Sequence, residues 1–454
     1  MKKYIFLTSL VCSLFSIVRA QNPVIQTKFT ADPAPMVYND TVFLYTTHDD
    51  DNAPEGMAGF LMRNWLLYTS TDMVNWTDHG IVASLDTFDW PASAGWGNSE
   101  NGAWAHQCIE RNGKFYLYVT LHGRGIGVLV ADSPYGPFTD PIGTHLISGD
   151  YDTIDPSVFI DDDGQAYLYW GNPNLWYVKL NEDMISYTGE IVKDASFAKE
   201  EGKEDPYHFQ EGPWLYKRND IYYMAYASTC CPEGMAYATS NSPVGPWDFG
   251  GYIMKPDGRS SGNHPGIIDY KGSTYVFGFN YKLNFMITDK HHERRSVAVA
   301  KMEFNTDGSI QELPWWYEGT PVEQLGTIDP YKRIEAETIA WSEGLKTDTD
   351  GNAGMYVTDI QDGDYLKVQG VDFKKGARSF HISAASKKGG NIEIRTGSID
   401  GPLLGICTVD DTGGWDKWKT FSAKITKTKG VHDLFLVFKG ESEQLFNLDY
   451  WRFK

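Results

Sequence analysis

Residues 32–47 read DPAPMVYNDTVFLYTT: an acidic opener, an apolar strand, an Asn39-Asp40 turn and an aromatic return strand. The same phrase recurs at residues 104–120 (WAHQCIERNGKFYLYVT), 155–171 (DPSVFIDDDGQAYLYWG), 211–228 (EGPWLYKRNDIYYMAYAS) and 264–279 (HPGIIDYKGSTYVFGF). Each copy alternates apolar and aromatic residues around Asn, Asp or Gly, which is the signature of a β-hairpin. The openers Asp32, Trp104, Asp155, Glu211 and His264 stand about 50–70 residues apart, a period at which repeats build blades or solenoid units. Each repeat holds enough strand for a four-stranded sheet. The fold predicted is therefore all-β, with a five-bladed β-propeller over residues 21–326. A β-sandwich of many hairpins is the alternative, but it gives no reason for the recurring opener.

In a propeller the innermost strand of each blade lines the axis, so the openers ring one mouth of the channel. The second strand ends at that mouth, and the loops after it rise around it. This brings the loops His48-Asp49-Asp50, His122-Gly123-Arg124, Trp170-Gly171-Asn172, Thr229-Cys230-Cys231 and Asn280-Tyr281 to the same place, with His48 and Trp170 as candidates to meet a substrate. Crowded carboxylates at Asp32, Asp155 and Glu211 oppose one another's ionisation and raise at least one pKa, which is how a carboxyl stays protonated for acid catalysis near neutrality. Two working carboxylates across a sugar suffice for glycoside hydrolysis. The rival use of such a ring is a cation site, since Asp and Glu are hard ligands suited to Ca²⁺, with His264 as a ligand or a water holder. Trp104 offers a stacking wall for a sugar, and Arg295 a group to orient a carboxylate or hydroxyl. Asp161-Asp162-Asp163-Gly164 reads as a hairpin turn only, and His291-His292 as a solvated loop.

Beyond Ile334 the repeats stop. Shorter strands follow, such as Tyr365-Leu366-Lys367-Val368 and Leu434-Phe435-Leu436-Val437-Phe438, which suit a β-sandwich (jelly-roll) domain over residues 331–454. A linker is expected in residues 326–330. The formal charge of -20 argues against nucleic acid or an anionic membrane as partner. The 15 Trp and 27 Tyr suit flat, sugar-like faces as well as core packing. Lys2-Lys3, an apolar run to Val18 and Val18-Arg19-Ala20 form an export leader over residues 1–20, cleaved after Ala20, so the protein is expected to be secreted or periplasmic. Cys12 raises a lipid-anchor reading, against which Val11 stands where a small residue is wanted. No other segment is long and apolar enough to span a bilayer. Cys230 and Cys231 are neighbours, open to two readings: a vicinal disulfide or two free thiols.

The DPAP, IDPSVF, EGPW and NHPG segments, in this order on five repeats, resemble glycoside hydrolase family 43, inverting five-bladed-propeller enzymes of plant cell-wall breakdown, across residues 22–323. The resemblance implies that Asp32 is the general base, Glu211 the general acid and Asp155 the modulator of the acid's pKa. It makes His264 the axial histidine associated with a channel Ca²⁺, and Arg295 a substrate-orienting group. Inversion needs room for a water, so the base and acid should stand about 6.5–9.5 Å apart. The segment after Ile334 resembles carbohydrate-binding module family 6, in which Glu335, Glu337 and Asp449 would hold a structural Ca²⁺. By the same resemblance Tyr356 and Trp415 would sandwich a sugar with Asn447 as hydrogen-bonding partner, and Trp418 is the better candidate for the core. The activity implied is an exo-acting glycosidase on plant polysaccharide or oligosaccharide, foremost an α-L-arabinofuranosidase on arabinoxylan. A β-D-xylosidase or galactosidase/galactofuranosidase is the near alternative. A non-catalytic glycan-binding protein is the alternative from another class, disfavoured because all three carboxylates are present.

Overall fold

A computed structural model describes residues 22–51, 60–90, 101–198, 205–257, 263–316 and 322–454; the expected leader, residues 1–20, lies outside them. Four of the hairpins read from sequence turn on two consecutive residues of positive φ: Asn39-Asp40 (47° and 59°), Asn112-Gly113 (55° and 76°), Asn219-Asp220 (49° and 63°) and Lys271-Gly272 (45° and 80°). That is the backbone of a two-residue turn matched to strand twist, and it explains why Asn, Asp and Gly mark each repeat. Each hairpin opens an antiparallel sheet, and five such sheets follow one another. Their first strands are Phe29–Tyr38, Ala103–Arg111, Ser157–Ile160, Phe209–Arg218 and Gly266–Tyr270. These strands touch in a closed cycle, each against the next and the last against the first.

Side-chain alternation fills the space between neighbouring sheets. On the strand Thr41–Asp49, Val42 and Leu44 pack with Phe277 and Val297 of the fifth sheet. Phe43 and Tyr45 belong to a cluster with Leu117 and Val119 of the second. A period of two thus gives each strand two apolar faces, as burial on both sides of a sheet demands. The fifth sheet has three strands of its own, and residues 22–24 run along its third: Val24 N–H donates to Val297 O at 2.9 Å, and Asn22 bonds Val299 in both directions at 3.1 and 3.0 Å.

The remainder forms two packed antiparallel sheets. One runs Lys346–Asp350, Gly354–Thr358, Asn447–Phe453, Ala377–Ser386, Gly414–Thr428; the other runs Trp341–Glu343, Tyr365–Asp372, Val431–Lys439, Gly390–Thr396, Leu403–Val409. Val357, Ile382, Ile394, Leu436 and Trp451 lie buried between them. Residues 326–330, read as a linker, lie against this sandwich. Ile328 N–H donates to Gly370 O at 3.0 Å, and Asp372 N–H donates to Ile328 O at 2.9 Å.

The two halves are joined by more than a connection. The short strand Thr338–Ile339 pairs with Trp76 and Thr77 and becomes the fifth strand of the first sheet. Beside it the buried Asp78 accepts from Lys28 Nζ at 2.8 Å and from Thr347 Oγ1 at 2.6 Å. Asn75 and Gln369 exchange side-chain and backbone hydrogen bonds at 3.1 and 2.9 Å. A buried carboxylate supplied with donors from both halves makes their separation costly, because parting them leaves polar groups unpaired.

Candidate active site

The five openers sit where the first strands begin, and the backbone there departs from regular β geometry. Strand pairing skips between Ala31 and Ala34, between Trp104 and His106, and between Glu211 and Trp214. Such bulges re-aim a side chain that a regular pleat would point into a sheet interface. Asp32 and Asp155 take positive φ, 46° and 63°, and Gly212 takes 58°. For a residue with a Cβ this costs about 1–3 kcal/mol and persists only where the surroundings enforce it. At Gly212 glycine is required twice, since a Cβ there would also lie 2.6 Å from His264 Cδ2.

His264 is the hub. Its Nδ1 lies 3.4 Å from Asp32 Oδ1, and its Nε2 lies 3.3 Å from Glu211 Oε1 and 3.5 Å from Asp155 Oδ2. The imidazole therefore stands between Asp32 on one side and the Glu211–Asp155 pair on the other. Burial disfavours its charge, but Asp155, Asp32 and Glu211 outweigh that and carry its pKa up to about 10, so the ring is an imidazolium. Asp155 is pushed up to about 7, chiefly by burial, with Glu211 and Asp32 adding to it against His264 and the Gly212 N–H bond. The cluster as a unit holds a proton near neutrality.

Asp32 goes the other way. Burial favours its neutral form, but Arg295, His264 and the Thr47 hydroxyl together hold it below the usual aspartate range. Arg295 Nη1 donates to Asp32 Oδ1 at 3.0 Å, and Thr47 Oγ1 donates to Oδ2 at 2.9 Å. Arg295 is itself fixed by Asp49, which takes Nε at 3.0 Å and Nη2 at 2.9 Å in a two-pronged pair. On the opposite wall Asn172 Nδ2 donates to Glu211 Oε2, and Gln210 Nε2 donates to Asn172 Oδ1 at 3.0 Å.

Asp32, Asp155, Glu211, His264, Arg295 and Asn172 line a cavity of about 390 Å³ whose apolar wall includes Phe60, Met62, Trp104 and Tyr151, a size and mix suited to a small polar ring with C–H faces. Trp104 lies flat on His122 with centroids 3.7 Å apart, and Tyr151, 48% exposed, stands edge-on to the same imidazole. Burial lowers the His122 pKa to about 4, so this stack is neutral.

The openers Asp32, Trp104, Asp155, Glu211 and His264 are thus brought together, as the repeat alignment predicts, and Arg295 joins them, as the family resemblance implies. Two expectations fail. His48 turns away: its Nδ1 bonds Asn64 Oδ1 at 3.1 Å, because Thr47 and Asp49 occupy the inward face and alternation sends the residue between them outward. Trp170 is 2% exposed and packs in the core between the second and third sheets; the residue reaching the cavity is Asn172, just past the strand's end. Asp49, Thr47, Asn172 and Gln210 were not picked out by the sequence reading. Asp49 and Asn172 lie in the very loops it named, and two-residue alternation from Thr47 would have selected Asp49. Cys230 and Cys231 are joined in a disulfide and line the cavity, which decides between the two readings of that pair.

In the sandwich, Tyr356 meets Trp418 edge-on at 5.3 Å, and Trp418 Nε1 donates to Asp350 Oδ2 at 2.9 Å. Trp418 is therefore a half-buried face residue and not the core residue expected; Trp451 fills the core. Trp415 is half-buried, and its carbonyl accepts from Asn447 Nδ2 at 3.1 Å. Of the three expected calcium ligands, Glu335 and Asp449 both accept from Arg333 Nη2, at 2.8 and 2.6 Å. Glu337 is buried and its Oε2 has no hydrogen-bond partner among the described residues, an orphaned hard oxygen that fits a cation. Among the described residues, Asp155, Glu211 and His264 also place one donor atom each within 4.8 Å of one another.

No helix among the described residues is long and apolar enough to cross a membrane. The family model for glycosyl hydrolases family 43 matches residues 20–310, and that for carbohydrate binding module (family 6) matches residues 335–454. The chain is 35% identical to an arabinoxylan arabinofuranohydrolase of Bacillus subtilis (strain 168), over 95% of this chain and 92% of that protein. It is 29% identical to a beta-xylosidase of Xylanibacter ruminicola, over 63% of this chain and 97% of that one. Among solved structures it superposes on a family 43 arabinoxylan arabinofuranohydrolase from Bacillus subtilis, in complex with cellotetraose, with a TM-score of 0.80 and 32% identity, covering 95% of this chain and 97% of that one. With the five-sheet ring, its carboxylate cluster and these likenesses together, the chain belongs to the glycosyl hydrolases of family 43 and carries a family 6 carbohydrate binding module at its C-terminal end.

Proposed function

We propose that this chain removes terminal α-L-arabinofuranose from arabinoxylan with inversion of configuration. The observation that carries the reading is the placement of Asp32 and Glu211 on opposite nitrogens of one buried imidazolium at the floor of a sugar-sized cavity. Asp32, held ionised by Arg295, His264 and Thr47, takes a proton from a water as that water attacks the anomeric carbon. Glu211, held by Asn172, gives a proton to the departing glycosidic oxygen. Asp155 and His264 keep the proton inventory of the cluster fixed while this happens, Asp155 as the modulator and His264 as the shared cation. The closed cycle of first strands supports reading the five sheets as five blades about one axis. The substrate follows from the arabinoxylan arabinofuranohydrolases that this chain resembles along nearly its whole length.

Tyr356, Trp418 and Asn447 would present the sandwich to polysaccharide. Glu335, Glu337 and Asp449 would hold Ca²⁺ there as a structural ion, with Arg333 withdrawing. Chelation is then expected to lower the melting temperature by a few degrees, restored by added Ca²⁺. The leader and the Cys230–Cys231 disulfide both fit export to an oxidising compartment.

A panel of aryl glycosides followed by arabinoxylan, with the product anomer read by NMR, tests the reading. Release of arabinose with inverted configuration is expected, together with near-complete loss in Glu211→Gln. Preference for β-xylosides would move the chain to the xylosidase alternative, and retained configuration would remove the water-activating role of Asp32.

A further inference from the structure

The corner between the strands Ile221–Ser228 and Gly234–Ser240 places two sulfur atoms in the wall of the catalytic cavity. Cys230 and Cys231 are both exposed, and they line the same space as Glu211, Asn172 and Trp104. The corner is held at both ends. Thr229 N–H donates to His208 O at 2.7 Å, and the Thr229 hydroxyl donates to Pro232 O at 2.9 Å. On the other side the carboxylate of Glu233, 2% exposed, accepts the Asn263 N–H at 2.9 Å. The strand leading into the corner pairs Ala227 with Glu211 and Ser228 with Phe209, so the corner's position is fixed relative to the acid.

A disulfide in such a place is chemically unlike the rest of the cavity floor. It has no N–H or O–H to donate and is at most a weak acceptor. It is also polarisable, and so suits close contact with the C–H face of a sugar. Closing two adjacent side chains into one small ring also removes their rotamer freedom, so nothing remains to be ordered when substrate arrives.

We propose that the Cys230–Cys231 disulfide is a substrate-contacting wall of the subsite, a preorganised apolar plate that sets affinity for the sugar held beside Glu211. This rests on the glycosidase reading of the cavity. Opening the plate weakens binding while leaving the chemical machinery in place, because neither sulfur bonds to Asp32, Asp155, Glu211 or His264. Reduction by dithiothreitol opens it. The dithiol gives up two electrons and two protons, the S–S bond becomes two thiols, and the reagent closes to its own cyclic disulfide. The remaining described cysteines, Cys108 and Cys407, are buried free thiols and offer the reagent nothing to reduce.

The experiment compares wild type, oxidised and after dithiothreitol, with the double variant Cys230→Ser/Cys231→Ser on whichever aryl glycoside the wild type turns over best. Titration of an arabinoxylan oligosaccharide into Glu211→Gln, with and without reductant, gives affinity independently of turnover. A rise in KM of about fivefold with kcat changed less than about twofold is expected in the reduced enzyme and in the variant, with a matching loss of affinity in the titration. The variant should be indifferent to reductant. An unchanged KM and affinity on reduction would overturn the proposal, as would a fall in kcat at constant KM, which would make the corner a support for the acid. Absence of wild-type turnover on every glycoside would refute the parent reading instead, and the titration would still decide the plate. Because reduction needs no substitution, a variant that fails to fold leaves the test intact.

Discussion

At the mouth of the five sheets, Asp32 and Asp155 sit at φ 46° and 63° with their carboxylates buried and tied to one imidazole. On the sandwich, Tyr356 and Trp418 stand half-buried on the strands Gly354–Thr358 and Gly414–Thr428, the Tyr356 hydroxyl donating to Asp348 and Trp418 Nε1 to Asp350. Both regions face carbohydrate in our reading, yet only the first seats its working side chains on non-glycine residues of positive φ and buries their charge. Strained backbone and buried charge are expensive and appear where protons must be moved. A face that only holds a sugar needs aromatic area and a few satisfied hydrogen bonds.

The sharpest way to break this comparison is to remove charge from the mouth. Asp32→Asn and Glu211→Gln should each lower kcat on an aryl arabinofuranoside by about 10³–10⁴-fold while the folded state persists, as steady-state rates and circular dichroism would report. Comparable losses from substitutions on the sandwich face would erase the distinction.

Glycine gives a second contrast. Gly212 has positive φ and His264 against its missing Cβ, whereas Gly354 has positive φ, 81°, and open space around it. Gly212→Ala should cost about 2–3 kcal/mol and Gly354→Ala about 1 kcal/mol, read from denaturant midpoints. Equal costs would mean that the His264 packing is slack.

On the sandwich, Trp418→Ala should weaken retention on insoluble arabinoxylan about tenfold and leave kcat on a small aryl substrate unchanged. Trp415→Ala with the larger effect would return that role to the residue first expected.

The smallest effect concerns proton affinity. Thr47→Val keeps the shape of the side chain and removes one of the groups that hold Asp32 below the usual range. The Asp32 pKa then rises, so the acidic limb of the kcat/KM profile should move to higher pH. A shift toward lower pH would contradict the sign of that hydrogen bond.

The order of strands was legible because four of the five hairpin turns use two residues of positive φ, and Asn, Asp and Gly supply most of them visibly. The opener positions were legible for the same reason: repeats align, and what aligns meets at an axis. His48 and Trp170 are misplaced because both still belong to strands, whose residues alternate sides, so nearness to the strand's end does not say which side a residue faces. Trp415 and Trp418 lie on one long strand whose pairing with Ala377–Ser386 skips between Ala384 and Ser386, so counting along the strand loses the face. The strand Thr338–Ile339 is too short to show any period, and its partner is set by the surface it meets.

That short strand has a consequence for the order of synthesis. Thr338 lies 261 residues beyond Thr77, whose strand it extends. At ordinary translation speeds of about 5–20 residues per second the outer edge of the first sheet waits roughly 10–50 s for its cover. During that interval its free amides and carbonyls can template pairing with another nascent chain. A chain cut short before residue 338 would keep that edge open permanently, so truncation at the boundary read from sequence should yield a protein prone to self-association through its first sheet.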